Sequence, residues 1–127
     1  MMETIEAKMK IDEIAHRFVN LRNTNKADKL RAEFYSPDIE SIEEGNTSEI
    51  GRVKGMSGLG KKGQGLSKQF EVHNIKASDP VAADNWFSVK FEIDTTDKNS
   101  GERSTLSEIG VYKVENGKIV KEHYFMF

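Results

Sequence analysis

Asn116-Gly117 stands between two runs of alternating apolar and polar residues, Gly110 to Glu115 and Lys118 to Phe127. An Asn-Gly pair readily takes the two positive φ angles of a type I′ turn, whose twist matches that of flanking antiparallel strands. The pair therefore predicts a hairpin with Glu115 facing Lys118. Register decides which side chains share a face, because successive strand residues point to opposite sides. The hairpin thus constrains the whole C-terminal half of the chain.

Upstream, Trp86 to Thr96 has the same period of two, with Phe87, Val89, Phe91 and Ile93 alternating against Trp86, Ser88, Lys90, Glu92 and Asp94. Lys98-Asn-Ser-Gly101 reads as the turn into a strand over Ser104–Val114, and Val72–Ala77 as a further strand before a turn at Ser78-Asp-Pro80. The N-terminal part has a different period. Ile5, Met9, Ile11, Ile14, Ala15, Phe18, Val19 and Leu21 recur mostly three and four apart, which predicts an amphipathic helix from about Glu3 to Arg22. Asn23-Thr-Asn25 breaks it. Lys26–Tyr35 reads as a shorter helix ended by Pro37, since the residue before proline avoids helical angles. Asp38–Glu44 reads as a short strand and Gly45–Lys54 as a polar loop. Gly55–Phe70 is open between a glycine-rich helix and a glycine-rich loop. Helices followed by a run of antiparallel strands indicate α+β architecture rather than repeated βαβ units.

The 127 residues suit one domain, 1–127, large enough to bury a core without a disulfide or metal. A net charge of -2 leaves no basic surplus for nucleic acid or anionic lipid. With no cysteine, thiolate nucleophiles and thiolate metal sites are excluded. No stretch approaches transmembrane length, and Met1-Met-Glu-Thr-Ile-Glu-Ala-Lys lacks the apolar stretch of a signal peptide. The expectation is a cytoplasmic protein that binds neither nucleic acid nor membrane. The histidines share no metal-ligand spacing, so no metal is expected. Gly58-Leu-Gly-Lys-Lys-Gly63 matches a dinucleotide-binding pattern, but no hydrophobic strand precedes it and no βαβ unit follows, so no nucleotide cofactor is expected either.

An uninterrupted register from the Asn116-Gly117 turn, with a turn near Gly101, sorts the long strands into two faces. Val89, Phe91, Ile93, Ile109, Val111, Val120, Tyr124 and Met126 share the more apolar face with Thr105, Ser107 and Glu122. Trp86, Lys90, Glu92, Asp94, Leu106, Glu108, Tyr112, Ile119, Lys121, His123, Phe125 and Phe127 share the other. Aromatic side chains left in water forgo about 1.5–3 kcal/mol of burial each. The second face therefore reads as an interface.

The order of a long helix, Phe34-Tyr-Ser-Pro-Asp38, Ser41-Ile-Glu43, Phe70-Glu-Val-His-Asn74, Phe87-Ser-Val-Lys-Phe-Glu-Ile-Asp94 and Glu108-Ile-Gly-Val-Tyr-Lys-Val-Glu-Asn-Gly-Lys-Ile-Val120 resembles the SnoaL-like branch of the NTF2-like superfamily. The resemblance implies a cone-shaped α+β barrel in which a curved, mostly antiparallel sheet wraps the helices, with a pocket at the open end. It also implies a homodimer through the convex face, here Trp86, Tyr112, Phe125 and Phe127. Members include polyketide cyclases, isomerases, dehydratases and proteins that only bind ligands. The implied function is binding of a small apolar organic molecule, with acid-base isomerase or cyclase chemistry on a carbonyl compound, or else ligand binding and dimerisation without catalysis.

In that resemblance Glu43 falls near the basic carboxylate of the isomerase branch, making it either a general base or a strand-end glutamate in water. Glu122 and Tyr124 lie on the inferred concave face, where a glutamate must be paired, protonated or wet. His73 is a proton shuttle or an ordinary edge-strand histidine. Tyr35 either offers its hydroxyl to the cavity or caps the core with its ring. His16 falls near a catalytic phenol of the isomerase branch, a departure that speaks against that mechanism. Phe91, Ile109 and Met126 complete the expected lining. Asp94 and Glu108 look like recurrent acidic residues of the family, yet the register puts both outside, and one slip would turn them inward. The glycines of Gly55–Gly65 predict a loose helix at the mouth of the cone, a mobile lid.

Overall fold

The computed structural model describes the backbone of residues 2–126 and the side chains of residues 10–126. Phe127 and the side chains of Ile5 and Met9 lie outside the described residues. In chain order the elements are α1 (Met2–Asn23), α2 (Ala27–Phe34), β1 (Tyr35–Glu43), β2 (Arg52–Lys54), α3 (Gly55–Gln69), β3 (Phe70–Ala77), β4 (Val81–Ala83), β5 (Trp86–Asp97), β6 (Arg103–Glu115) and β7 (Lys118–Met126). Pro37, expected between a helix and a strand, lies inside β1. The polar loop ends in β2, a three-residue strand paired with β1. β4, also three residues long, follows the Ser78-Asp-Pro80 turn in a stretch given no element from the sequence.

The sheet runs β2-β1-β7-β6-β5-β3, with β4 also on β5; β1 and β7 are parallel and the other pairs antiparallel. α3 packs against β1 and β2 at one end of that order and against β3 at the other. One helix reaches both ends because the sheet curls round into a cone. The expected α+β cone is the observed fold.

The core forms where α1 lies in the concave sheet. Ile11, Ile14, Ala15, Phe18, Val19 and Leu21 are buried along one side of the helix, as their spacing predicts. Phe18 packs its ring 5.3 Å from Phe87 and 4.5 Å from Tyr112, and Phe87 stacks on Tyr112 at 4.9 Å. Asn23 closes the helix on the sheet edge. Its side-chain amide donates to the Ala77 carbonyl at 3.0 Å and accepts from the Ala77 N–H at 2.8 Å.

Asn116 and Gly117 have φ of 51° and 76°, and Glu115 pairs with Lys118, the turn and register that the sequence predicts. The register does not continue. Val114 pairs with Ile119 but Lys113 with Lys121, leaving Val120 as an extra residue in a β-bulge. A bulge reverses which side chains of one strand share a face with the next. Beyond it Glu122, Tyr124 and Met126 keep their expected concave placement, but Ile119 is buried inside and the whole of β6 is inverted relative to expectation. The β5–β6 ladder agrees, pairing Phe91 with Glu108 and Phe87 with Tyr112.

The inversion corrects the faces of the β6 residues, Leu106 and Val111 included, and four corrections bear on the core and the cavity. Tyr112, expected at an interface, is a fully buried core residue, and Ile119 is likewise 0% exposed. Ile109, expected to line the cavity, lies on the convex side. Glu108, expected outside, is buried inside the cone. Gly110 makes the inward face of β6 workable. A β-carbon there would stand 2.5 Å from the Tyr112 hydroxyl oxygen, so the phenol occupies the space that glycine leaves.

Candidate functional site

The open end of the cone holds a cavity of about 660 Å³. Leu30, Leu59, Leu66, Phe70, Ile75, Ile93 and Leu106 give it apolar walls, with Val72 and Met126 exposed among its lining residues. Its polar lining includes Arg22, Tyr35, Glu43, Lys62, Glu108, Glu122 and Tyr124, with Arg31 and Glu44 also on the wall.

Parallel pairing of β1 with β7 sets Ser41 beside Glu122 and Glu43 beside Tyr124. Glu122 accepts hydrogen bonds from Tyr35 at 2.7 Å, Tyr124 at 2.7 Å and Ser41 at 2.8 Å. Tyr112 extends the network by donating to the Tyr124 hydroxyl at 3.2 Å. Hydrogen bonds to a charged acceptor contribute about 1.5–3 kcal/mol each, which is how a carboxylate only 4% exposed is tolerated. Burial first, and then the Glu122 charge, push the Tyr35 and Tyr124 phenols well above their ordinary range. Both remain protonated donors. The geometry makes Glu122 an anchor for hydroxyls, with both oxygens engaged.

Lys62 is the second anchor. Its ammonium lies 2.7 Å from a Glu43 oxygen, donates to Ser41 at 2.7 Å and sits 4.5 Å from the centre of the Tyr124 ring. Glu43 therefore enters the cavity as the partner of a buried lysine. The glycine-rich segment is a helix, and Lys62 lies on the same side of it as Leu59 and Leu66. Gly58 lets that helix approach the sheet, since a β-carbon there would touch the Val53 β-carbon at 3.0 Å.

Glu108 differs from both. Among the described residues its carboxyl has no hydrogen-bond or ion-pair partner, and it lines the cavity. Burial, reinforced by the Glu43 charge and opposed by Lys62 and Arg22, pushes its pKa from 4.5 up to about 7. A carboxyl poised there can both take and give a proton at neutral pH.

The structure brings Glu43, Glu122, Tyr35, Tyr124 and Met126 together as expected. It leaves out His73, a bulge residue of β3 whose ring is 2.7 Å from the Thr96 hydroxyl on the exposed surface. His16 is exposed, its Nδ1 2.9 Å from the Asp12 carbonyl. Phe91 is 1% exposed and belongs to the core beneath the cavity, against Phe18. Asp94 stays on the convex side and holds Arg103 in a two-point contact at 3.0 and 2.8 Å.

Sequence reasoning missed Ser41, Lys62 and Arg22 as site residues. Two of them left a signal. Lys62 interrupts the Leu59–Leu66 stripe, and Arg22 continues the stripe of Phe18 and Val19. A lone cation on an apolar helix face is costly unless something inside the fold receives it.

A family model described as a SnoaL-like domain matches residues 9–126. No curated protein is similar enough to match. Among solved structures, a protein of Mesorhizobium loti assigned provisionally to the SnoaL-like polyketide cyclases is 31% identical, with 89% of this chain and 96% of that one covered and a TM-score of 0.81. An NTF2-like protein of unknown function from Burkholderia pseudomallei is 15% identical over 93% of this chain and 91% of its own, with a TM-score of 0.76. A protein of Xanthomonas campestris described as having a cystatin-like fold is 22% identical over 91% and 89%, with a TM-score of 0.71. The two more distant likenesses concern the fold alone; the family match spans nearly the whole chain, and the chain belongs to the SnoaL-like family.

Proposed function

We propose that the cavity binds a small, largely apolar carbonyl compound and that Glu108 moves a proton on it, the step shared by isomerisation and cyclisation through an enolate. The observation that supports this reading is the free Glu108 carboxyl in an apolar cavity, with a pKa of about 7. Such a group is half ionised at neutral pH and needs no partner to be released before it acts. The sequence-based candidates are less suited to that role. Glu122 would have to give up hydroxyl donors, and Glu43 its lysine. In this reading both hold the cavity's polar end in shape. The volume lies above the roughly 300 Å³ at which ordinary ligand sites begin.

Hydrogen-deuterium exchange at carbon next to a carbonyl tests it. A panel of apolar ketones in deuterated buffer, followed by proton NMR, is expected to exchange faster with the protein than without. Glu108→Gln is expected to lower the catalysed rate by roughly 10²–10⁴-fold. Binding of the panel without exchange, or full exchange by Glu108→Gln, would leave the non-catalytic binding module as the better reading.

The convex face supports a separate proposal of a homodimer. Trp86, Ile109, Val111 and Phe125 lie on it partly exposed, with Lys113 5.7 Å from the Trp86 ring and His123 stacked on Phe125 at 4.4 Å. Tyr112 has no part in it. Sedimentation equilibrium is expected to give a dimer at micromolar concentration, and Phe125→Glu a monomer; a monomeric parent protein removes the proposal. Among the described residues, no helix is long and apolar enough to cross a membrane.

A further inference from the structure

Arg22 ends the buried stripe of α1 and reaches the cavity wall. Its guanidinium carbon lies 5.4 Å from the centre of the Phe91 ring, within cation–π distance. Its backbone is fixed as well, because the next residue, Asn23, is clamped to Ala77 by two hydrogen bonds. Yet among the described residues the Arg22 guanidinium has no hydrogen-bond or ion-pair partner. No described side-chain nitrogen or oxygen is both sealed from solvent and unpartnered, so the guanidinium nitrogens keep their access through the cavity. Lys62 and Glu122, by contrast, are directly engaged, the first with Glu43 and the second with hydroxyls. A preorganised planar fork of donors, facing an apolar cavity with nothing to receive it, is the arrangement that takes a carboxylate in a two-point contact.

We propose that the ligand of this cavity is an apolar carboxylic acid, its carboxylate paired with Arg22 and its hydrocarbon body laid along Leu59, Leu66, Ile93 and Leu106. This rests on the cavity being a small-molecule site and narrows the class from any apolar carbonyl compound to an anionic one. It also sets a pH dependence. Glu108 feels Arg22 from α1, Glu43 from β1, Lys62 from α3, Tyr112 from its own strand and Glu122 from β7, while Tyr35, Tyr124, Arg31 and Glu44 share the cavity wall. With Glu108 protonated, Arg22, Arg31 and Lys62 balance Glu43, Glu44 and Glu122, and an arriving anion meets a neutral pocket. With Glu108 ionised, it meets a negative one. Carboxylate binding therefore favours the protonated form and weakens as pH rises through neutrality.

Isothermal titration with octanoate, cyclohexylacetate and 2-naphthoate, each against the alcohol of the same skeleton, tests the inference on the full chain. At least one acid is expected to bind about tenfold or more tightly than its alcohol below pH 7. That preference is expected to shrink at higher pH. Arg22→Met is expected to abolish it in a protein that still unfolds cooperatively. Arg22→Lys is expected to restore part of it, since lysine keeps the charge but loses the fork. Alcohols that match the acids, a preference that survives in folded Arg22→Met, or no acid binding at millimolar concentration each overturn the proposal. Its failure is separable from failure of the proton-transfer reading. Neutral ketones that exchange through Glu108 while acids are not preferred would remove the first and keep the second.

Discussion

Replacing Glu108 with glutamine is expected to stabilise the protein by up to about 3 kcal/mol near pH 8, while changing little near pH 4. The folded protein holds the Glu108 proton until about pH 7, whereas the unfolded chain releases it at about 4.5. Between those values the folded state binds more protons, so stability falls as pH rises. The contribution is present in full below the unfolded value and is lost through the folded one. Glutamine stays neutral throughout, and its amide faces an open cavity where water can satisfy it. Urea unfolding of the two proteins across this range measures the difference. The curves should converge in acid and separate above neutrality; parallel curves would show that Glu108 titrates normally. The gain in stability should accompany the loss of catalysed exchange, because a carboxyl held ready among apolar walls costs stability for the sake of function.

Lys62→Met should have the opposite effect, a loss of about 3–5 kcal/mol. Lys62 and Glu43 have side-chain exposures of 7% and 14%, so removing the cation leaves a largely buried carboxylate without its partner. The substitution also takes away the Lys62 hydrogen bond to Ser41, which in turn orients the hydroxyl given to Glu122. Native stabilities of about 5–15 kcal/mol make this a large share of the total. Adding Glu43→Gln to Lys62→Met should recover much of the loss, since neutral groups of similar shape replace the pair. A double-mutant cycle by urea unfolding gives the coupling directly. A single-variant loss under about 1 kcal/mol would mean that water reaches the pair freely.

Much of the architecture was legible in local pattern. The α1 stripe, the alternation of β5 and the Asn116-Gly117 turn each express a preference that neighbours along the chain satisfy by themselves. Glu43, Glu122, Tyr35 and Tyr124, singled out from the sequence, all line the cavity. The roles within that set were not legible, because they depend on contacts between residues far apart in sequence. Glu122 meets Tyr35 across 87 positions and Ser41 across 81. Lys62 was hidden in a segment whose glycines suggested a loop or a phosphate cradle.

The opening hairpin separates the two kinds of information. Sequence alone determined the turn at Asn116-Gly117 and the pairing of Glu115 with Lys118, because those depend on φ angles that asparagine and glycine readily adopt. Tertiary structure decided that the ladder slips at Val120. Beyond the bulge Tyr112 faces inward and packs against Phe18 and Phe87, long-range contacts that no local pattern records. That one extra residue buries Tyr112, turns Ile109 outward and brings Glu108 into the cavity, so the chain's strongest proton-transfer candidate exists only in the folded state.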